Sequence, residues 1–274
     1  MNPGFELEMN GKVAVITLNR PEKKNALSPA FWQAFPEAIE DLSSSGSARV
    51  IVLNARGTDF CSGMDLSVFA GNEKLNTGTA YQREQLYRLI LKIQRAITVL
   101  ERSRIPVIAS IHGKCLGAGL DIVAACDLRY ATREALFRIE ETNIGIMADL
   151  GSLQRLPGLM PEAIVKEMAY TGCSLGAERA FQIGFLNQLF EDTDSLEKSV
   201  LETAESIAAK PPLVVSGSKQ SINYAREHSI EESLDNAALR QSQLFDPSEI
   251  ALFMKCRSKN EAHPTDLGPE YKEL

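Results

Sequence analysis

Two short runs in the first half of the chain, Val50-Ile51-Val52-Leu53 and Pro106-Val107-Ile108-Ala109-Ser110-Ile111, are apolar at nearly every position. A strand with one face in water alternates polar and apolar residues. A run that does not alternate is built to be covered on both faces, as in a parallel sheet flanked by helices. The segments around these runs agree. Val13-Ala14-Val15-Ile16-Thr17-Leu18 is β-rich and ends at the turn signal Asn19-Arg20-Pro21. Residues 28 to 42 place Phe31, Phe35, Ile39 and Leu42 at helical spacing behind a Ser28-Pro29 start. Residues 81 to 102 repeat the pattern with Leu86, Leu89, Ile90, Ile93, Ile97 and Leu100. A short helix at 119–125 and a strand at 127–131 follow. The rhythm predicts βαβ units and an α/β fold with a largely parallel sheet. From about residue 160 the pattern is helical only, with helices expected near 161–171, 176–183, 194–209, 212–227, 230–243 and 247–258, and with Pro211-Pro212 as a boundary. The polar stretch 71–80 reads as a mobile connection.

Composition limits the partners. A net charge of −7 over 274 residues excludes a general nucleic-acid binder, which needs a basic face, but leaves room for a local basic pocket around a phosphorylated ligand. The five cysteines, Cys61, Cys115, Cys126, Cys173 and Cys256, contain no CxxC pair and read as free thiols in a reducing compartment. His112, His228 and His263 do not stand at ligand spacing, so no metal site is expected. The first ten residues lack a basic-then-apolar signal, and no stretch approaches the roughly 20 apolar residues of a membrane span. The final Tyr-Lys-Glu-Leu is neither a peroxisomal nor an ER address. A cytoplasmic protein without membrane partners is the expectation.

Chemistry concentrates in two small-residue loops and three acids. His112-Gly113-Lys114-Cys115-Leu116-Gly117-Ala118-Gly119-Leu120 follows a strand and opens a helix. Its backbone N–H groups either serve only tight packing or face a phosphate or an enolate oxygen. The spacing is not that of a dinucleotide fingerprint. Phe60-Cys61-Ser62-Gly63-Met64-Asp65 also follows a strand, and loops at the ends of neighbouring strands can face one crevice. Asp121 and Asp149 lie inside apolar stretches, and Glu141 follows Phe137-Arg138-Ile139-Glu140. Each acid is either solvated or capping, or buried for a purpose. If buried together, desolvation and mutual repulsion raise their pKa values toward neutrality.

Taken in order, these segments resemble the enoyl-CoA hydratase/isomerase (crotonase) superfamily along almost the whole chain. The markers are Asn19-Arg20-Pro21 with Asn25-Ala26-Leu27, Gly63-Met64-Asp65-Leu66, Pro106-Val107-Ile108-Ala109 and Gly113-Lys114-Cys115-Leu116-Gly117-Ala118-Gly119. Cys126-Asp127-Leu128-Arg129 and Leu153-Gln154-Arg155-Leu156-Pro157 complete the set. The resemblance implies a crotonase-like spiral of ββα units over residues 1–200. It implies a helical C-terminal trimerisation and CoA-covering region over 201–274, and a homotrimer or homohexamer. It also implies an acyl-CoA substrate, with coenzyme A entering as part of the substrate and no prosthetic group. The thioester enolate would be held by the backbone N–H groups of Met64 and Ala118, where the family more often has glycine at the second position. Lys23, Lys24, Ala26 and Ser62 would line the CoA groove near Arg20. Phe253, Lys255 and Arg257 resemble residues that cover the CoA of a neighbouring subunit.

The acids select among members. Hydratases of the family carry glutamates at the positions of Asp121 and Glu141 and a glycine at that of Asp149. The set here, Asp121, Glu141 and Asp149, resembles Δ3,5-Δ2,4-dienoyl-CoA isomerases. By position Glu141 would work at C2 and Asp149 at C6, with Asp121 orienting or polarising Glu141. The other readings are an enoyl-CoA hydratase or Δ3-Δ2-enoyl-CoA isomerase and, in a different class, a non-catalytic acyl-CoA-binding or RNA-binding homologue.

Overall fold

The computed structural model describes residues 2–68 and 75–259. Residues 71–74 of the polar 71–80 stretch and the side chain of Arg257 lie outside the described residues. A six-stranded sheet runs in the order β1 (Phe5–Asn10), β2 (Val13–Leu18), β3 (Val50–Ala55), β4 (Val107–Ile111), β6 (Leu128–Thr132), β9 (Gln188–Phe190). Only the β1–β2 hairpin is antiparallel, and every other pairing in this sheet is parallel. The apolar runs at 50–53 and 107–111 form its centre, fully buried as their lack of alternation predicts.

A second sheet of β5 (Lys114–Leu116), β7 (Leu136–Arg138) and β8 (Ser174–Gly176) lies beside the first. Consecutive strands leave one sheet for the other. β4 turns at Gly113 into β5 before helix α3 (Ala118–Ala125), and β6 passes into β7 in the same way. The isolated bridges Leu27–Met64 and Cys61–Cys115 are the second-strand remnants of the earlier turns. This is the expected ββα spiral.

Helices α1 (Pro29–Ser45) and α2 (Ala80–Arg102) pack on one face of the main sheet. Ser28 caps α1 through Phe31 N–H, and Thr79 with Gln82 forms a capping box on α2. Short α4 (Ser152–Arg155) packs on α3, α5 (Glu162–Thr171) follows, and α6 (Ala177–Gln182) packs on β8 and β9. Helix α7 (Thr193–Ala208) covers the opposite face, burying Leu196, Val200 and Ala204 on Val13, Val50, Val52 and Ile108. Position 200, the expected boundary of the helical region, therefore lies inside a helix that belongs to the core sheet.

Helices α8 (Pro212–Ala225), α9 (Ile230–Leu244) and α10 (Pro247–Lys259) follow. A buried lysine fastens them. Lys219 Nζ donates to the carbonyls of Leu100 and Ile105 at 2.8 and 3.1 Å and pairs with Asp127 at 2.7 Å. Five strands were not expected from the sequence: β1, β5, β7, β8 and β9. β1 does alternate, Phe5, Leu7 and Met9 against Glu6, Glu8 and Asn10. The other four are three residues long, too short for any period to show.

Candidate active site

The loop after β2 is organised by a buried side chain. Asn25 accepts from Arg20 N–H at 2.8 Å and donates to the carbonyls of Arg56 and Asp59, both at 2.8 Å. Arg20 is itself engaged, donating to the Ala26 carbonyl at 2.6 Å and pairing with Asp65 at 3.0 Å. Ser62 N–H reaches the Lys24 carbonyl at 2.9 Å, which joins this loop to the one after β3. Lys23, Lys24, Ala26 and Ser62 thus form one patch, with both lysines exposed. These bonds run among residues 20–65 and do not involve α10, where Phe253 is half-buried and Lys255 exposed.

Leu27 N–H donates to Gly63 O at 2.9 Å, and Asp65 N–H donates to Leu27 O at 3.0 Å. In such a parallel pairing the intervening Met64 turns its own N–H away from residue 27. Gly63 packs on the next loop, where a methyl group in place of its hydrogen would lie 3.6 Å from Ala118 N and 3.2 Å from Leu116 O. Ala118 opens α3 with Gly117 as its N-cap, so its N–H has no acceptor within the helix. The two loops meet at Gly119, whose missing side chain would overlap Cys61. The structure therefore brings Met64 and Ala118 into one neighbourhood, each with an N–H directed away from its own element.

The acids gather beside these loops. Asp121, on α3, is fully buried, and its Oδ1 accepts from Ser152 N–H at 2.5 Å and from the Ser152 hydroxyl. Burial pushes its carboxyl up to about 6, with the Ser152 bonds and Arg155 opposing and Asp149 adding to the rise. Glu141 begins a short 3-10 helix after β7 and touches Gly117, where an added methyl would lie 3.2 Å from Oε1. Burial, then the charge of Asp121, then that of Asp149 push Glu141 up to about 7. Asp149 is half-buried and is raised by desolvation. One carboxyl oxygen each of Asp121 and Glu141, Oδ2 and Oε2, is buried without a protein partner. Asp121 thus acts on Glu141 through its field, while its hydrogen bonds go to Ser152.

Asp149 also borders a cavity of about 640 Å³ between α2, the 149–159 segment and the end of α8. Glu141 and Asp121 do not line it. Glu101, Arg155, Arg226 and Glu227 do, so its wall is charged and unlike an apolar acyl channel. What links Asp149 to the other two acids is its charge, which adds to the rise of both. Among the described residues, no group of His, Cys, Asp or Glu is placed to hold a metal ion.

Three participants escaped sequence reasoning as site residues. Ser152 lies 31 positions from Asp121, so only the fold reveals the pair. Gln94 donates to the Asp149 carbonyl at 2.6 Å from a helix whose apolar stripe drew attention first. Arg155, known only as part of a motif, reaches Glu101, Thr98 and the Leu150 carbonyl.

Comparison with known proteins agrees with this architecture. The mouse mitochondrial Δ(3,5)-Δ(2,4)-dienoyl-CoA isomerase is 37% identical over 86% of this chain and 73% of its own length. The peroxisomal enzyme of the same name from Arabidopsis thaliana is 39% identical over 84% of each. The crystal structure of an enoyl-CoA hydratase from Bacillus anthracis superposes with a TM-score of 0.86 at 26% identity, covering 95% of this chain and 98% of that one. Residues 8–256 match the enoyl-CoA hydratase/isomerase family, and with the spiral and the paired loops described above the chain belongs to that family.

Proposed function

We propose that the protein is an isomerase converting 3,5-dienoyl-CoA thioesters to 2,4-dienoyl-CoA. The observation that carries this reading is the gathering of acids beside the two backbone donors: Glu141 against the Gly117 turn, Asp121 buried on the helix that turn opens, and Asp149, whose charge adds to the rise of both. Glu141 takes a proton from C2. The electron pair spreads over the diene and onto the thioester oxygen, which accepts from the N–H groups of Met64 and Ala118 as charge develops. Asp149 gives its proton to C6, and the double bonds move to C2–C3 and C4–C5. Solvent then resets both carboxyls. Neighbouring carboxyls resist ionising together, so one serves as base while the other still holds its proton.

Lys23 and Lys24, exposed at the mouth of the loop patch, are suited to CoA phosphates, with Ala26 and Ser62 along the groove. Phe253 and Lys255 of a neighbouring subunit would cover the cofactor portion. Exposed apolar residues on α8 and α9, among them Leu213, Val214, Ile222 and Leu234, support self-association as a trimer or hexamer. The free thiols support a reducing compartment, the cytoplasm, although the similar mouse and Arabidopsis enzymes are mitochondrial and peroxisomal. Among the described residues no helix is long and apolar enough to cross a membrane.

The test is a panel of acyl-CoAs of graded length, assayed for diene conjugation by its long-wavelength absorbance and for hydration by loss of enoyl absorbance. Conjugation is expected to dominate. Hydration alone would favour the hydratase reading that the Bacillus anthracis neighbour suggests. The pH profile of kcat/KM is expected to bend near 7, where Glu141 ionises. A profile flat through about pH 5 to 9 rejects the two-acid scheme.

A further inference from the structure

Asp149 must present its carboxyl at a fixed span from Glu141, yet among the described residues its side chain makes no hydrogen bond to another residue. Its place is set through its backbone. Gln94 Nε2 donates to the Asp149 carbonyl at 2.6 Å. Thr98 and Glu101, four and seven positions further along the same face of α2, hold Arg155 at 3.1 and 2.8 Å. Arg155 in turn donates to the Leu150 carbonyl at 3.3 Å. It lies so close to Gly151, whose φ is +133°, that an added methyl would stand 1.6 Å from a guanidinium nitrogen. Two successive carbonyls of the acid-bearing segment are therefore gripped from α2, one directly and one through Arg155. The stripe Gln94–Thr98–Glu101 is separate from the apolar stripe Ile93, Ile97, Leu100 that fixes α2 to the core. Packing α2 does not account for it.

We propose that Gln94 is the positioning residue for Asp149, setting by its amide the span between the two carboxyls and so the delivery of the proton to C6. The proposal rests on the reading of Asp149 as the C6 acid given above. Without the amide, the 149–150 backbone keeps, among the described residues, only the long Arg155 bond, and the carboxyl swings away from the far end of the dienolate. The C2 half of the reaction, which Glu141 performs from a different segment, is untouched.

The experiment follows both halves in one reaction. Wild type, Gln94→Met and Asp149→Asn are given a 3,5-dienoyl-CoA in D2O. Conjugation is read by absorbance, and deuterium at C2 of recovered substrate by mass spectrometry. Gln94→Met, close in shape but lacking the donor, is expected to lose about 10- to 100-fold in kcat for conjugation with little change in KM, and to keep wild-type exchange at C2. Retained exchange shows that the pocket, the enolate donors and Glu141 are intact. Wild-type conjugation by Gln94→Met, with Asp149→Asn inactive, overturns the role of Gln94 alone. A parallel fall of conjugation and exchange in Gln94→Met overturns it too, because a general support of the pocket would do that. Conjugation by Asp149→Asn at the wild-type rate removes Asp149 as the C6 acid, and the role of Gln94 falls with it.

Discussion

Glu141→Gln is expected to lower conjugation by a factor of about 10³ and at the same time to make the folded protein harder to unfold at about pH 8. The first effect follows from position. Glu141 touches the Gly117 turn, and in the reaction proposed above it is the base at C2, a task an amide cannot perform. The second follows from its raised pKa. In the unfolded chain the carboxyl ionises near its ordinary 4.5, and in the folded protein near 7. Between those values the folded state binds the proton more tightly, so stability falls as pH rises through that window and stays low above it. Glutamine removes the charge and with it the penalty, a gain of about 2–3 kcal/mol at high pH and almost none near pH 4. Urea melts of wild type and variant at about pH 5 and about pH 8 measure it, with the gain expected chiefly at the higher value. An inactive variant that is no more stable at the higher pH would mean that the charge is not held at a cost, and the idea of a buried, poised base would go.

That coupling of loss and gain explains what the sequence could and could not disclose. An acid within Leu120-Asp121-Ile122-Val123 is legible as an anomaly, because a charge there is either expensive or useful. Its partner is not legible, since the Ser152 bonds that hold Asp121 cross between α3 and α4, 31 residues away. The central strands were readable because burial on both faces writes itself into every residue. The three-residue strands β5, β7, β8 and β9 were not, because their register comes from neighbours and not from a pattern of their own. The glycine turn was ambiguous alone, and Gly117 and Gly119 acquire meaning only when Glu141 and Cys61 are seen against them. The role of Arg20 was equally hidden in the sequence. It was placed only near the CoA groove, and the structure shows it occupied by Asp65 and the Ala26 carbonyl, shaping the loop that presents Lys23 and Lys24.

Gly119→Ala is the other change with a large expected effect, although in most helices it would help. Alanine in a helix interior is ordinarily favoured over glycine by about 1 kcal/mol. Here the added methyl would stand 2.7 Å from Cβ and 3.0 Å from Sγ of Cys61, and 3.2 Å from its carbonyl oxygen. None of these is the free end of a flexible chain. Cys61 is fully buried and pinned through Lys114 O, Leu116 N–H and the Asn25 carbonyl. The strain must move either α3 or the Cys61–Met64 loop, which are the two elements that carry the backbone donors. Overpacking of this kind costs about 1–3 kcal/mol in stability. Separating the donors is expected to cost more in rate, about 10²- to 10³-fold in kcat, as when one oxyanion donor is lost. KM should change less than kcat, because Asn25 and Arg20 hold the Lys23–Ala26 segment from outside α3, and only Ser62 of the patch lies on the strained loop. The carbonyl stretch of a bound thioester reports the donors directly. It is expected to shift back toward its value in water, since polarisation by the two N–H groups weakens. A folded Gly119→Ala protein with wild-type kcat and an unshifted carbonyl band would show that the enolate oxygen is not held between these loops.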